Sequence, residues 1–142
     1  MKKQIGDNYF ISDDKVSLDV GIIHGFLTNS YWNNGIPIEL VSKSIENSFC
    51  VGVYCNETQV GFARVVTDFT LHAYLADVFI LEEHRGKGLS KQIMGFILEH
   101  PQLKNIKTWR LGTRDAHSLY LKFGFNAQEF PERMMERKIK IW

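Results

Sequence analysis

The spacing of hydrophobic residues predicts two helices in the first third of the chain. Apolar residues recur at helical spacing from Val20 to Leu27, after Asp13 and Asp14, whose side-chain oxygens can cap a helix. Pro37, suited to a first helical position, precedes a second apolar pattern that continues to residue 45. We therefore expect two short helices joined by a loop.

Segments rich in β-branched and aromatic residues predict the strands. Residues 49–54 and 60–66 flank a polar turn, which is typical of an antiparallel hairpin. Residues 71–81 are too apolar for a sheet edge and predict a central strand buried on both faces. Three shorter strands are expected at residues 9–12, at 108–111 as a second central strand, and at 138–142.

Two further helices complete the predicted fold. Residues 89–99 carry one apolar face and end before Pro101, and residues 116–123 end at Gly124, a left-handed cap. A strand, a three-turn helix and a second strand in succession require a right-handed parallel crossover. We predict an α+β fold: a mixed, mostly antiparallel sheet with one parallel β-α-β crossover, flanked by about four helices.

Composition narrows the class of protein. The 142 residues, 44% hydrophobic and 23% charged, predict one domain over residues 1–142. The net charge of +1, with basic and acidic residues interspersed, argues against a nucleic-acid partner. No apolar run suggests a membrane span or a signal peptide, so we expect a cytoplasmic protein without a membrane partner. Cys50 and Cys55 lack neighbouring ligands, so no metal site is expected.

A glycine loop separates the strand at 71–81 from the helix at 89–99. Its sequence, His84-Arg85-Gly86-Lys87-Gly88-Leu89-Ser90, lets consecutive N–H groups converge on an anion at a helix N-terminus. Arg85 and Lys87 add positive charge, which suits a pyrophosphate. The spacing fits neither a dinucleotide-binding fingerprint nor a P-loop. The alternative interpretation is a solvated turn between strand and helix.

Two motifs make the interpretation specific. The first combines Ala76-Asp77-Val78-Phe79-Ile80 with Arg85-Gly86-Lys87-Gly88, and the second is Ala116-x-x-Leu119-Tyr120-x-Lys122-x-Gly124-Phe125. In order and separation they resemble the two signatures of the GNAT superfamily of N-acetyltransferases. Ser90 departs from the family's glycine or alanine, and Thr113 departs from its frequent asparagine.

The resemblance implies an acetyl-CoA-dependent N-acyltransferase that acetylates an amine of a small molecule by direct transfer. Acetyl-CoA is then the acyl donor, and Tyr120 protonates the departing thiolate. Asp77, a carboxylate inside an apolar strand, is the candidate base; the alternative is a structural carboxylate bonded to loop amides or to an arginine. The implied cofactor-binding residues are Val78, Phe79, Ile80, Arg85, Gly86, Lys87, Gly88, Leu89, Ser90, Thr113, Ala116 and Tyr120.

Tyr31 and Trp32 are the candidate acceptor-binding residues, because GNAT relatives build the acceptor pocket between their first helices. Structural alternatives exist for two of the candidate residues: Trp32 can fill the core beside the second helix, and Tyr120 can be a core tyrosine. Asp68, His72 and Glu39 are weaker candidate bases. Two other functions stay open, a non-catalytic acyl-CoA-binding regulatory module and a protein or peptide N-acetyltransferase. The resemblance also allows a homodimer, and it leaves the acceptor unidentified.

Overall fold

The computed structural model describes residues 1–142 and contains one six-stranded mixed sheet whose spatial order follows the chain order. All neighbouring strands are antiparallel except β5 and β6, which are parallel. The strands are β1 (Lys2–Gln4), β2 (Tyr9–Ser12), β3 (Phe49–Cys55), β4 (Thr58–Thr67), β5 (His72–Ile80) and β6 (Thr108–Leu111). The helices are α1 (Val20–Leu27), α2 (Ile38–Glu46), α3 (Leu89–Glu99) and α4 (His117–Leu121). The predicted fold class is confirmed.

The two faces of the sheet are covered by different helices. Ile93, Met94 and Ile97 of α3 belong to the larger apolar cluster, together with residues of β3, β4 and β5. On the other face, α1 and α2 pack over Phe62 and Phe79. Because each face is buried by helices, the end of β5 is held firmly between two packed layers.

Local capping explains where α1 and α2 begin. Asp19 caps α1, because its Oδ1 accepts a hydrogen bond from the N–H of Ile22 at 3.1 Å. The predicted cap Asp14 instead caps a short 3-10 turn at Lys15–Ser17. Pro37 lies immediately before α2 rather than inside its first turn.

A bulge in β5 opens the sheet where the crossover begins. The β4–β5 register shifts between Phe62 and Arg64, and Asp77 has a positive φ of 53°. Strand β6 pairs with β5 only as far as the match of Leu75 with Leu111. The rest of β5, from Ala76 to Ile80, therefore has no strand partner on that side, and a cleft opens there.

Two predictions about central strands were wrong in detail. Strand β5 is not buried on both faces, because its first half alternates and Tyr74 is 48% exposed. Strand β6 is an edge strand rather than a central one, since no strand pairs on its far side. Its residues are accordingly half-buried.

The ends of the chain also differ from the prediction. Residues 138–142 form no strand, although their residues alternate; the side chain of Trp142 instead donates a hydrogen bond to the carbonyl of Asn34 at 2.9 Å. Strand β1, which the sequence analysis missed, pairs with β2 at the opposite edge. The last helix, α4, is shorter than predicted and ends at Leu121, but Gly124 has the predicted left-handed conformation with φ 86°, and the N–H of Phe125 beyond it donates a hydrogen bond to the carbonyl of Tyr120 at 3.2 Å. None of the helices has the length and hydrophobicity that a membrane span requires.

Candidate active site

The cleft between the diverging ends of β5 and β6 forms a cavity of about 570 Å³. Its walls come from the α1–α2 loop, from β5, and from α4 with the loop that joins it to β6. Predicted site residues from all three segments line it: Tyr31, Trp32, Asp77, Val78, Thr113, Ala116 and Tyr120. The structure thus brings together residues that are up to 89 positions apart in the sequence.

Asp77 is the centre of a hydrogen-bond network at this cleft. Its Oδ1 accepts hydrogen bonds from Trp32 Nε1 at 2.8 Å and from Asn33 Nδ2 at 3.3 Å. Its Oδ2 accepts a charge-assisted hydrogen bond from Arg64 Nε at 2.7 Å. The Asp77 side chain is only 3% exposed, so these donors offset its loss of water. This arrangement corresponds to the alternative interpretation, a carboxylate bonded to an arginine.

The network ties the acceptor-side loop to the sheet. Trp32 and Asn33 belong to the α1–α2 loop, whereas Arg64 comes from β4 and also donates to the Ser48 hydroxyl at 3.1 Å. Trp32 is 39% exposed and therefore does not simply fill the core. The Trp32 side chain lines the cleft, while its N–H holds the loop to Asp77.

Tyr120 is buried at the base of the cleft, on α4. Burial raises the pKa of its phenol above the usual value, and the neighbouring Tyr31 adds to the shift. Its hydroxyl is therefore protonated throughout the neutral pH range, which is the state that a proton donor requires. The ring packs edge-on against Phe125 at 6.0 Å between centroids, which holds the side chain in place.

Thr113 supports the start of α4. Its Oγ1 accepts a hydrogen bond from the N–H of Ala116 at 3.0 Å. The hydroxyl hydrogen stays available to a partner in the cleft, which Thr113 lines. Threonine at this position can thus still donate one hydrogen bond into the cavity.

The glycine loop encloses a smaller cavity of about 170 Å³ at the start of α3. Gly86 and Gly88 have φ values of 78° and 75°, and a Cβ at either would meet no atom within 4 Å. Glycine is therefore required by backbone conformation and not by lack of space. The predicted residues that line this cavity are Ile80, Arg85, Gly86, Gly88, Leu89 and Ser90.

Arg85 also has a structural contact. Its Nε donates a hydrogen bond to the carbonyl of Ile80 at 2.9 Å, which holds the loop against the end of β5. Two predicted residues do not line either cavity: Lys87 is exposed, and the side chain of Phe79 stacks on Phe26 at 4.0 Å between centroids. Only the main chain of Phe79 can face a ligand.

Arg64 and Arg114 were missed in the sequence, whereas His84 and Asn33 lie in the predicted loops but were given no specific role. Arg64 and Asn33 hold Asp77, and His84 lines the loop cavity while its Nδ1 hydrogen-bonds Tyr9 Oη at 2.8 Å. Arg114 lies over the ring of Tyr31 in the cleft. Of these, Arg64 carried a signal: a cation inside the apolar strand β4 needs a buried acid.

The weaker candidate bases lie elsewhere. Asp68 accepts hydrogen bonds from the N–H groups of Thr70, Leu71 and His72 in the β4–β5 turn. These bonds lower its pKa to about 2, so Asp68 shapes the turn. Neither His72 nor Glu39 lines the cleft.

Comparison with known proteins places this site in a family. A family model described as the acetyltransferase (GNAT) domain matches residues 46–127. A GNAT-family protein from Xanthomonas campestris has 42% sequence identity and a TM-score of 0.90, and the match covers 94% of each chain. Glucosamine-6-phosphate N-acetyltransferase from Arabidopsis thaliana shares the fold, with a TM-score of 0.66 at 15% identity over 94% of this chain and 100% of that one.

Curated relatives agree with this placement. An uncharacterised ycf52-like N-acetyltransferase from Prochlorococcus marinus is 31% identical over 107 residues, which are 71% of this chain and 59% of that protein. The chain spans between 42% and 63% of the length of the three curated relatives it matches. The matched segment includes β3 to β6, the glycine loop and α4. The chain belongs to the GNAT family of acetyltransferases.

Proposed function

We propose that the protein transfers an acetyl group from acetyl-CoA to an amine of a small molecule by direct transfer. The observation that carries the proposal is that the two cavities lie next to each other, because residues of β5 and α4 line both of them. Leu75 to Val78 of β5 and Tyr120 of α4 line the cleft, while Ile80, at the end of β5, and Leu119, next to Tyr120, line the loop cavity. An elongated ligand with an anionic part and a reactive end can place one part in each cavity.

The residues present suit acetyl-CoA as the donor. The left-handed conformations of Gly86 and Gly88 direct the loop, and α3 begins at Leu89, so main-chain N–H groups and the helix dipole favour a pyrophosphate. The unpaired edge of β5 from Ala76 to Ile80 offers main-chain groups to pantetheine. Thr113 supplies a hydroxyl donor on the opposite wall.

Transfer forms a bond between the amine nitrogen and the acetyl carbon and breaks the carbon–sulfur bond. The leaving sulfur needs a proton, and we infer that Tyr120 supplies it from its buried, protonated phenol. The proton that the amine loses passes to a base or to solvent. Asp77 is the predicted base, but both its oxygens accept hydrogen bonds already, which favours a role in holding Trp32 and Asn33.

Two measurements test the proposal. Acetyl-CoA at 100 times its dissociation constant should stabilise the protein by about 2.7 kcal/mol through linkage, which a thermal unfolding experiment detects. Release of the CoA thiol should then depend on an added amine. Stabilisation without thiol release across amines, amino acids and peptides would favour the non-catalytic module, and acetylation of peptides alone would favour the protein acetyltransferase. Absence of any stabilisation would refute the CoA site itself.

A further inference from the structure

Arg114 is an unpaired cation in the acceptor cleft. Its guanidinium lies over the ring of Tyr31, with Cζ 3.9 Å from the ring centroid, and both side chains line the cavity. The ion pairs of the protein involve Met1, Asp13, Arg64, Asp77, His100, Lys138 and Glu136, and none includes Arg114. Arg114 has no role in the proposed binding of acetyl-CoA or in the proposed proton transfer from Tyr120.

The contact with Tyr31 leaves the N–H donors of Arg114 available to a ligand. The guanidinium of Arg114 contacts the π face of Tyr31 and forms no hydrogen bond or ion pair within the chain, so its N–H donors have no partner there. A stacked guanidinium is also restricted in orientation, so less entropy is lost when it forms a bidentate pair. A planar carboxylate can accept both hydrogen bonds of this fork.

The other charges of the cleft argue against a polycationic acceptor. Asp77 is buried and already compensated by Arg64 at 2.7 Å, so it does not attract a further cation. The remaining charged wall residues are Arg114 and its neighbour Asp115, one of each sign. Aromatic rings are exposed in the cleft: Tyr31 is 54% exposed and Tyr74 is 48% exposed. Apolar walls with one cation and one anion fit a zwitterion with an apolar body.

We propose that the acceptor is the amine of an amino acid with an aromatic or other large apolar side chain, and that Arg114 pairs with its carboxylate. The inference rests on the proposed function. Aromatic walls favour such a ligand over a hydroxyl-rich aminosugar phosphate, although a phosphate would also satisfy the guanidinium.

The test compares acceptors that differ in one group. Acetyl-CoA-dependent thiol release is measured with L-phenylalanine and L-tryptophan, with phenethylamine and tryptamine, which lack the carboxylate, and with spermidine and glucosamine 6-phosphate. We expect kcat/KM for the amino acids to exceed that for their decarboxylated counterparts by at least tenfold. Arg114→Gln should remove this preference mainly through KM, and Arg114→Lys should retain part of it. The dissociation constant for CoA should stay within threefold in both variants.

Arg133 provides a matched control, because its guanidinium also stacks on an aromatic ring, Phe130, at 3.7 Å but outside the cleft. Arg133→Gln should leave the preference for amino acids unchanged. Equal or faster turnover of tryptamine or spermidine, insensitive to Arg114→Gln, would overturn this inference while supporting the proposed function. Preference for glucosamine 6-phosphate, or weaker CoA binding in Arg114→Gln, would overturn the amino-acid assignment. No turnover of any amine would overturn the proposed function together with the inference.

Discussion

Replacing Arg64 by methionine should destabilise the protein by about 3 kcal/mol. Arg64 and Asp77 form a buried pair, with side chains 17% and 3% exposed and a distance of 2.7 Å. Removing one partner of such a pair costs about 3–5 kcal/mol, because the other charge stays buried. The donors from Trp32 and Asn33 remain on Asp77, which places the expected loss at the lower end.

The expected loss in the free energy of unfolding corresponds to a measurable change in melting temperature. An unfolding entropy of about 2.1 cal/mol/K per residue gives about 0.3 kcal/mol/K for a chain of this length, so a loss of about 3 kcal/mol lowers Tm by about 10 °C. Urea unfolding of the wild type, Arg64→Met, Asp77→Asn and the double variant completes a double-mutant cycle. Asparagine is chosen because it tolerates the positive φ at position 77.

The same cycle tests whether Arg64 and Asp77 are energetically coupled. In the double variant no uncompensated charge is buried, so it should be more stable than Arg64→Met, with a coupling energy of at least about 1.5 kcal/mol. Additive losses, or a loss below about 1 kcal/mol in Arg64→Met, would show that the pair does not hold this part of the sheet.

Asp77→Asn should raise the acceptor KM, because it weakens the contacts that hold the α1–α2 loop. Loss of the ascending limb of the pH–rate profile in this variant would instead identify Asp77 as the base.

Three further changes test separate parts of the structure. Tyr120→Phe should lower kcat by about 100-fold with an unchanged CoA dissociation constant, and unchanged turnover would exclude Tyr120 as the proton donor. Gly88→Ala places a side chain at φ 75°, so the free loop should relax to another conformation; restoring the loop on CoA binding then costs about 1 kcal/mol and should weaken binding about fivefold, as measured by titration calorimetry. Tyr54→Phe should stabilise the protein by about 1 kcal/mol in urea unfolding, because the Tyr54 hydroxyl is buried without a hydrogen-bond partner. Burial, together with the charges of Asp14 and Asp19, raises the pKa of Tyr54 to about 12. The tyrosine of the unfolded chain therefore ionises at a lower pH than that of the folded protein, so the stability of the wild type should fall above pH 10. The fall should be smaller in Tyr54→Phe.

Local signals explain why the glycine loop and α3 could be predicted from the sequence. Leu89–Glu99 has the predicted bounds, because glycines before it and a proline after it mark both ends. The hairpin of β3 and β4 also followed from a polar turn between β-branched segments. Each of these features depends on residues that are close together in the chain.

Long-range pairing was not predictable in the same way. Whether residues 108–111 form an edge or a central strand depends on whether another segment pairs beside them, and residues 138–142 do not. The alternation of apolar residues near the C-terminus indicates a strand but does not supply a partner edge. Trp142 contacts Asn34 instead, more than 100 positions away.

The bulge at Asp77 explains why one residue affects both sides of the site. Its positive φ breaks the regular β4–β5 ladder next to the point where β6 stops pairing, and the residues at this break line the cleft. The same bend places the Asp77 carboxylate on the α1–α2 side, where Trp32 and Asn33 reach it. The Asp77 carboxylate at this bend thus connects the cleft proposed for acetyl-CoA to the α1–α2 loop proposed for the acceptor. This structural role explains why a charged residue lies within an apolar strand. Catalysis at Asp77 is not needed to account for it.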